Sequence, residues 1–156
     1  MDNKIFFKRY FSWLLPLIIG GLAALFSGGM GNYRAMNQPP LSPPGWIFPI
    51  VWTVLYVLMG EAAFRILHSG KEKPQVKKAL TAYGIQLALN FLWPIVFFRA
   101  QNYLGALVLI VALWVAIFIT FRRFMAIDET AGDLLIPYLL WVTFAAYLNL
   151  GVFLLN

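Results

Sequence analysis

The chain has 156 residues, of which 62% are hydrophobic and 12% charged, and its formal net charge is +6. A mean hydropathy of +0.77 excludes an ordinary soluble domain, in which about 25% of the residues are charged. The sequence contains no cysteine, which excludes disulfide bonds and thiol chemistry. These features together indicate an integral membrane protein.

Five uncharged stretches divide the chain, and each can hold the roughly 20 apolar residues that a helix needs to cross a bilayer. Strands of a membrane barrel would alternate in polarity, which these stretches do not, and lipid tolerates no unpaired backbone. We therefore predict an all-α membrane protein, a five-transmembrane-helix bundle in a single domain over residues 1–156. The helices are expected near 10–29, 46–67, 79–98, 102–122 and 134–154.

The first apolar run has two interpretations. Lys4, Lys8 and Arg9 precede it, as basic residues precede the apolar core of a signal peptide. The run is longer than the 7–15 residues of a typical signal core and contains Trp13 and Pro16. We therefore expect a retained span.

Residues 30–45 form the longest predicted connection, between the first two spans. Prolines at 39, 40, 43 and 44 cannot continue a helix and restrict the residues that precede them. We expect extended turns here.

Basic residues are distributed unequally between the two sides of the predicted bundle. Arg34 and Arg99 fall on one side. The other side holds Lys4, Lys8, Arg9, Arg65, Lys71, Lys73, Lys77, Lys78, Arg122 and Arg123. This bias predicts a bacterial cytoplasmic membrane protein with its N-terminus in the cytoplasm and its C-terminus outside. The net charge is interpreted as topology and contact with anionic lipid, and nucleic acid is not expected as a partner.

Residues for conventional catalysis are scarce. The single histidine, His68, lies at the end of the second predicted span, and the sequence offers neither a set of metal ligands nor a nucleophile–base pair. Glu61 is the one acidic residue inside a predicted span. A carboxylate within the membrane is typical of proton-coupled transport, so a small-molecule transporter that uses Glu61 is an alternative function. Arg65 lies one helical turn further on, so we favour a structural Glu61–Arg65 ion pair.

Three predicted spans carry aromatic or uncharged polar side chains on one face. These faces comprise Trp52 and Tyr56 in the second span, Gln86, Asn90 and Trp93 in the third, and Tyr138, Trp141 and Ala145 in the fifth. Hydrogen bonding between helices would explain the two amides as well as ligand contact does. Taken together, the faces suit a flat, aromatic, mostly apolar ligand.

Three segments of the sequence resemble the translocator protein family, also called the tryptophan-rich sensory protein or TspO/MBR family. Residues 39–60 (PPLSPPGWIFPIVWTVLYVLMG) are similar to its first loop and second helix. Residues 89–98 (LNFLWPIVFF) are similar to its third helix, and residues 135–149 (LIPYLLWVTFAAYLN) and 154–156 to its fifth. The resemblance runs from about residue 30 to the end, with the segments in the family's order.

The resemblance implies a five-helix bundle, often a homodimer, that binds porphyrins such as protoporphyrin IX beneath the first loop and requires no cofactor. Free-base porphyrin is as suitable as haem, because no interior histidine is present to ligate iron. Members also bind benzodiazepine-type and isoquinoline carboxamide ligands. The implied roles are tetrapyrrole transport, sensing or scavenging, and the alternative is light-dependent porphyrin degradation with Trp52 and Trp141 as the catalytic residues.

By motif position, the resemblance also names ligand-binding residues. In the first loop, the expected lid of the pocket, these are Tyr33 and Pro43. Within the spans, the residues at the family's ligand-binding positions are Trp52, Asn90, Trp93, Trp141 and Ala145. The helix faces described above add Tyr56, Gln86 and Tyr138 as ligand-binding residues. Leu41 and Ser42 stand where the family has Trp-Thr. No Lys or Arg follows Tyr138 or Tyr147, as the family's cholesterol motif would require, so a sterol is disfavoured as the native ligand.

Overall fold

The computed structural model describes residues 3–28 and 31–156. Its helices are α1 Asn3–Phe26, α2 Gly31–Ala35, α3 Ile47–Leu67, α4 Lys73–Pro94, continued by a π-helical turn Ile95–Arg99, α5 Tyr103–Ile127, α6 Glu129–Asp133 and α7 Ile136–Leu155. Five helical segments are long and apolar enough to cross a membrane, and the described residues contain no strand. The predicted all-α, five-span fold is confirmed.

The helices extend beyond the predicted spans at their charged ends. Helix α1 begins at Asn3 rather than near residue 10, α4 begins at Lys73 rather than near 79, and α5 continues to Ile127 rather than 122. The prediction located spans by the absence of charge, but a helix continues past the bilayer while its charged side chains reach the headgroups. Residues 29 and 30, where the first span was predicted to end, lie outside the described residues.

The first loop also differs from the prediction of extended turns throughout. Residues 31–35 form the short helix α2, and irregular backbone follows as far as α3. Leu41 adopts a left-handed backbone conformation with φ 71° and is 82% exposed. The extended part of the loop therefore begins only after α2, at the prolines.

The long helices form a ring in which most neighbours pack closely. Helix α1 packs on α3 and α4, α4 packs on α5, and α5 packs on α7, whereas the backbones of α3 and α7 approach each other at few points. Gly60 permits the close approach of α1 and α3, because a Cβ there would lie 2.6 Å from the Ser12 carbonyl oxygen and 2.7 Å from the Trp13 Cα. Large aromatic side chains fill the wider space between α3 and α7, where Trp52 contacts Tyr138 and Phe48 contacts Trp141.

The predicted Glu61–Arg65 ion pair is wrong. Glu61 instead accepts a hydrogen bond from the Trp13 indole at 2.8 Å and lies 3.3 Å from the Arg9 Nε. Arg65 pairs with Asp128 at 3.2 Å. Partners on α1 and at the start of α6 displace the local i, i+4 pair, and the sequence pattern of α3 alone contains no information about them.

Asp128 also caps α6, accepting a hydrogen bond from the Ala131 backbone N–H at 3.1 Å. Partial desolvation raises the pKa of Asp128, but the Ala131 hydrogen bond and the charge of Arg65 outweigh it and hold the pKa below its ordinary value. This carboxylate therefore joins α3 to the α5–α6 turn at the basic end of the bundle.

Candidate functional site

A chain of hydrogen bonds crosses the centre of the bundle. The Tyr56 hydroxyl on α3 donates to Asn90 Oδ1 on α4 at 2.9 Å. Asn90 Nδ2 donates to the Tyr138 hydroxyl on α7 at 2.7 Å, which donates to Gln86 Oε1 at 2.7 Å. All four side chains are buried, and we call them the central polar chain. It ties together the three helices that carry the predicted aromatic and polar faces.

Trp52 covers the central polar chain. Its ring stacks on Tyr56 with centroids 5.5 Å apart and meets Tyr138 edge-on at 6.1 Å. Trp52 and Tyr56 lie one turn apart on the same face of α3, as the sequence periodicity predicted. The centre of the bundle thus combines aromatic faces with hydrogen-bonding groups at their edges.

Three buried donors near this centre have no hydrogen-bond partner among the described residues. They are Gln86 Nε2, the Tyr83 hydroxyl and Trp141 Nε1. An unsatisfied buried donor costs about 1–3 kcal/mol, and native proteins contain few of them. These groups can donate to acceptor atoms such as carboxylate or carbonyl oxygens.

A second layer of side chains lies toward the first loop. The Trp93 indole donates to Asn149 Oδ1 at 3.0 Å, and Asn149 Nδ2 donates to the Tyr103 carbonyl at 2.9 Å. Trp93 also stacks on Phe97 at 5.0 Å and packs against both hydrophobic clusters of the bundle. It therefore connects the core to the layer beneath the loop.

The first loop closes this layer from above. The Tyr33 hydroxyl donates to the Pro43 carbonyl at 2.6 Å, and the Tyr33 ring meets Phe48 edge-on at 5.2 Å. Phe48 in turn contacts Trp141 at 5.8 Å. Burial raises the pKa of Tyr33, outweighing its hydrogen bonding with Ser42. Tyr33 and Pro43 thus form a pair within the loop, linked to the core through Phe48.

Contacts with α7 hold the loop in place. The Tyr147 hydroxyl donates to the Pro40 carbonyl at 2.8 Å. Asn156 donates from its amide to the Asn37 carbonyl at 2.8 Å and accepts from the Asn37 N–H at 3.2 Å. The loop is consequently fastened to the end of the helix that carries Tyr138 and Trp141.

A groove of about 480 Å³ lies on the lipid side of the α3–α7 gap. Its walls are almost entirely apolar and include Val54, Leu58, Leu140 and Phe144. Trp141 lies in the same wall, and its buried indole nitrogen is one of the three unpaired donors. An apolar molecule in the membrane can therefore reach Trp141 directly.

The predicted site residues fall into three groups. Trp52, Tyr56, Gln86, Asn90 and Tyr138 share the core, and Ala145 is buried in the same hydrophobic cluster. Trp93 and Trp141 lie at its edges, and Tyr33 and Pro43 lie in the loop.

The sequence analysis did not select Phe48 or Asn149, although both bridge these groups. Asn149 could have been found by the rule that selected Gln86 and Asn90, because it is an uncharged polar residue inside a span. Phe48 could be recognised only from its contacts, since aromatic residues are frequent in this chain.

His68 lies at the end of α3, away from the core. His68 Nδ1 is 3.1 Å from the Phe64 carbonyl at the end of α3. Among the described residues, no three His, Cys, Asp or Glu side chains come together as a metal site. The polar groups that the core offers are the hydroxyl and amide groups of Tyr56, Gln86, Asn90 and Tyr138.

Comparison with known proteins gives a consistent relationship. The model of the TspO/MBR family matches residues 12–155. The tryptophan-rich protein TspO of Chlorobaculum tepidum is 42% identical over 124 residues, which cover 80% of this chain and 78% of that protein. Protein CrtK of Rhodobacter capsulatus is 35% identical over 137 residues, covering 88% and 85%. The translocator protein of Bos taurus is 34% identical over 139 residues, covering 87% and 82%. The chain therefore belongs to the TspO/MBR family.

Proposed function

We propose that the chain binds a porphyrin of the protoporphyrin IX type, or a similar flat aromatic molecule, in the core between α3, α4 and α7. The observation that carries this proposal is Trp52 stacked over a buried chain of hydrogen-bonding groups, with unpaired donors beside it. Aromatic faces stabilise a planar macrocycle by stacking and burial, and the donors suit its carboxylates. The resemblance to the family points to the same ligand class.

Binding in this site requires movement, since side chains fill the core and the first loop is fastened over it. The apolar groove between α3 and α7 offers a route from the membrane to Trp141. We place the bound ligand against Trp52 and Trp141, with its polar edge toward Gln86 and Asn90. The resulting role is tetrapyrrole transport, sensing or scavenging.

The test is a titration of the purified protein with protoporphyrin IX, in which the shift of the porphyrin absorption band measures binding. Trp52→Leu should weaken binding roughly tenfold, because it removes a stacking surface worth about 1 kcal/mol or more. Trp114→Leu is the matched control, because it makes the same replacement outside the proposed site. Trp114 stacks on Phe118 and bonds to Thr143 on the exposed surface, so its replacement should leave binding unchanged. Equal effects of the two variants, or no saturation in the wild type, would contradict the proposal.

We do not propose proton-coupled transport through Glu61, because Arg9 and Trp13 hold its carboxylate in a structural arrangement. Light-dependent porphyrin degradation can be tested with the same protein–porphyrin complex. Illumination of the bound complex would yield a new absorbing product, and the loss of that product in Trp141→Phe, with binding retained, would assign the reaction to this tryptophan.

A further inference from the structure

The turn between α3 and α4 opens a groove at the basic end of the bundle. Helix α3 ends at Leu67 and α4 begins at Lys73, and Gly70 reverses the chain between them with φ 73°. A left-handed conformation of this kind is readily available only to glycine. The groove has a volume of about 610 Å³ and lies between the two helix ends.

Its lining has two distinct parts. The basic residues that line it are Lys71, Lys73 and Lys77, and the apolar walls include Leu67, Val76 and Leu80. We call this feature the lysine groove. Leu67 is 53% exposed, so the apolar walls continue onto the outer surface of α3. The groove therefore presents positive charge directly beside a lipid-facing apolar surface.

The lysines of the groove have no ion-pair partner among the described residues. In the part of the chain that the structure describes, the ion pairs involve Arg9 with Glu61 and Arg65 with Asp128, and none includes a lysine of the groove. Glu72, the acidic residue of the same turn, does not line it. Three lysines thus line a common space, which favours an anionic occupant.

We propose that the lysine groove binds an anionic phospholipid, with the headgroup phosphate between Lys73 and Lys77 and an acyl chain against Leu67 and Leu80. The charges alone would suit any phosphate, but the adjoining apolar walls at the end of two membrane-spanning helices fit a lipid. Basic residues at such a position attract anionic lipid strongly. This site is separate from the aromatic core and does not depend on what the core binds.

The experiment compares phosphatidylglycerol with phosphatidylcholine by native mass spectrometry of the purified protein in detergent. The wild type should retain phosphatidylglycerol preferentially. The double variant Lys73→Gln/Lys77→Gln should weaken that binding roughly ten- to thirtyfold, from the loss of two charges near the lipid phosphate. Binding of phosphatidylcholine should not change.

The matched control is Lys78→Gln/Arg122→Gln, which removes the same charge at the same end of the bundle but outside the lysine groove. It should bind phosphatidylglycerol as the wild type does. All four positions of these two double variants are exposed, so circular dichroism should show unchanged helix content. Equal losses in both double variants would mean diffuse charge attraction and would overturn the proposal. Displacement of the lipid by millimolar glycerol phosphate would also overturn it, since that result would indicate a site for free phosphate.

Discussion

Asn90 is the residue on which the central polar chain depends, because it accepts from Tyr56 and donates to Tyr138. Asn90→Leu should lower the free energy of unfolding by about 1–3 kcal/mol, since it leaves the buried Tyr56 hydroxyl without a partner and removes one of the two hydrogen bonds of the Tyr138 hydroxyl. Tyr56→Phe should lower the free energy of unfolding of the wild type but should hardly change that of the Asn90→Leu variant. Chemical unfolding in detergent of the two single variants and the double variant measures this coupling, expected to be about 1 kcal/mol.

A second pair of variants provides the control for that cycle. The Tyr147 hydroxyl bonds to the first loop rather than to Asn90, so the effects of Tyr147→Phe and Asn90→Leu should add. If Tyr56→Phe also adds to Asn90→Leu, the two residues do not stabilise the bundle through a shared bond.

Asp128 gives the protein a predictable response to acid. Its pKa in the folded state lies below the ordinary value, so its interactions stabilise the fold above the unfolded-state pKa, near 4. That contribution is lost as the pH falls through the lower, folded-state pKa. The melting temperature should therefore decline below about pH 4, as measured by thermal unfolding across a pH series.

Two substitutions at this position separate charge from capping. Asp128→Asn keeps a side chain that can cap α6 but cannot ionise. The melting temperature of this variant should therefore fall less steeply below about pH 4 than that of the wild type. Asp128→Ala removes the cap as well and should cost about 1 kcal/mol more at neutral pH. Identical melting temperatures for the two variants at neutral pH would show that the hydrogen bond to Ala131 contributes nothing.

At the scale of the helices, the contact of α1 with α3 depends on the absence of a side chain at Gly60. Gly60→Ala should destabilise the protein by about 1–3 kcal/mol, because the two helices must move apart to accommodate the methyl group. Gly84→Ala is the control, since a Cβ at Gly84 meets nothing within 4 Å. It should be neutral or stabilising by up to about 1 kcal/mol. Thermal unfolding of both variants measures the difference. Equal destabilisation by the two substitutions would contradict the close packing at Gly60.

The sequence predicted the helices better than it predicted their partners. Uncharged runs located all five spans, because the cost of burying charge in lipid leaves a direct signal in composition. Helical periodicity also predicted that Trp52 and Tyr56 share a face. It could not predict that Glu61 meets Trp13 rather than Arg65, since that choice depends on how two distant segments pack. For the same reason, it could not predict that the C-terminal Asn156 bonds to Asn37 in the first loop.

The whole molecule has two chemically different ends. One carries the lysine groove and the Arg65–Asp128 ion pair. The other carries the first loop, fastened to α7 through Tyr147 and Asn156. The proposed ligand site lies between them, so the orientation in the membrane decides which compartment the loop faces.

We predict that the basic end faces the cytoplasm when the chain is expressed in a bacterium, because positively charged loops are retained on that side. The absence of cysteine allows a direct test with single cysteines at opposite ends of the span that α4 and its π-helical turn form. Ala100→Cys, at the exposed end near the first loop, should react with a membrane-impermeant maleimide in intact cells whose outer membrane has been permeabilised. Gln75→Cys, exposed in the first turn of α4, should react only after the inner membrane is opened. The reverse labelling pattern would contradict the orientation, and equal labelling of both positions would show that the chain inserts in two directions. Replacing Lys71, Lys73, Lys77 and Lys78 together by Gln should move the pattern toward that mixed state, since these residues supply four of the ten basic charges on the predicted cytoplasmic side.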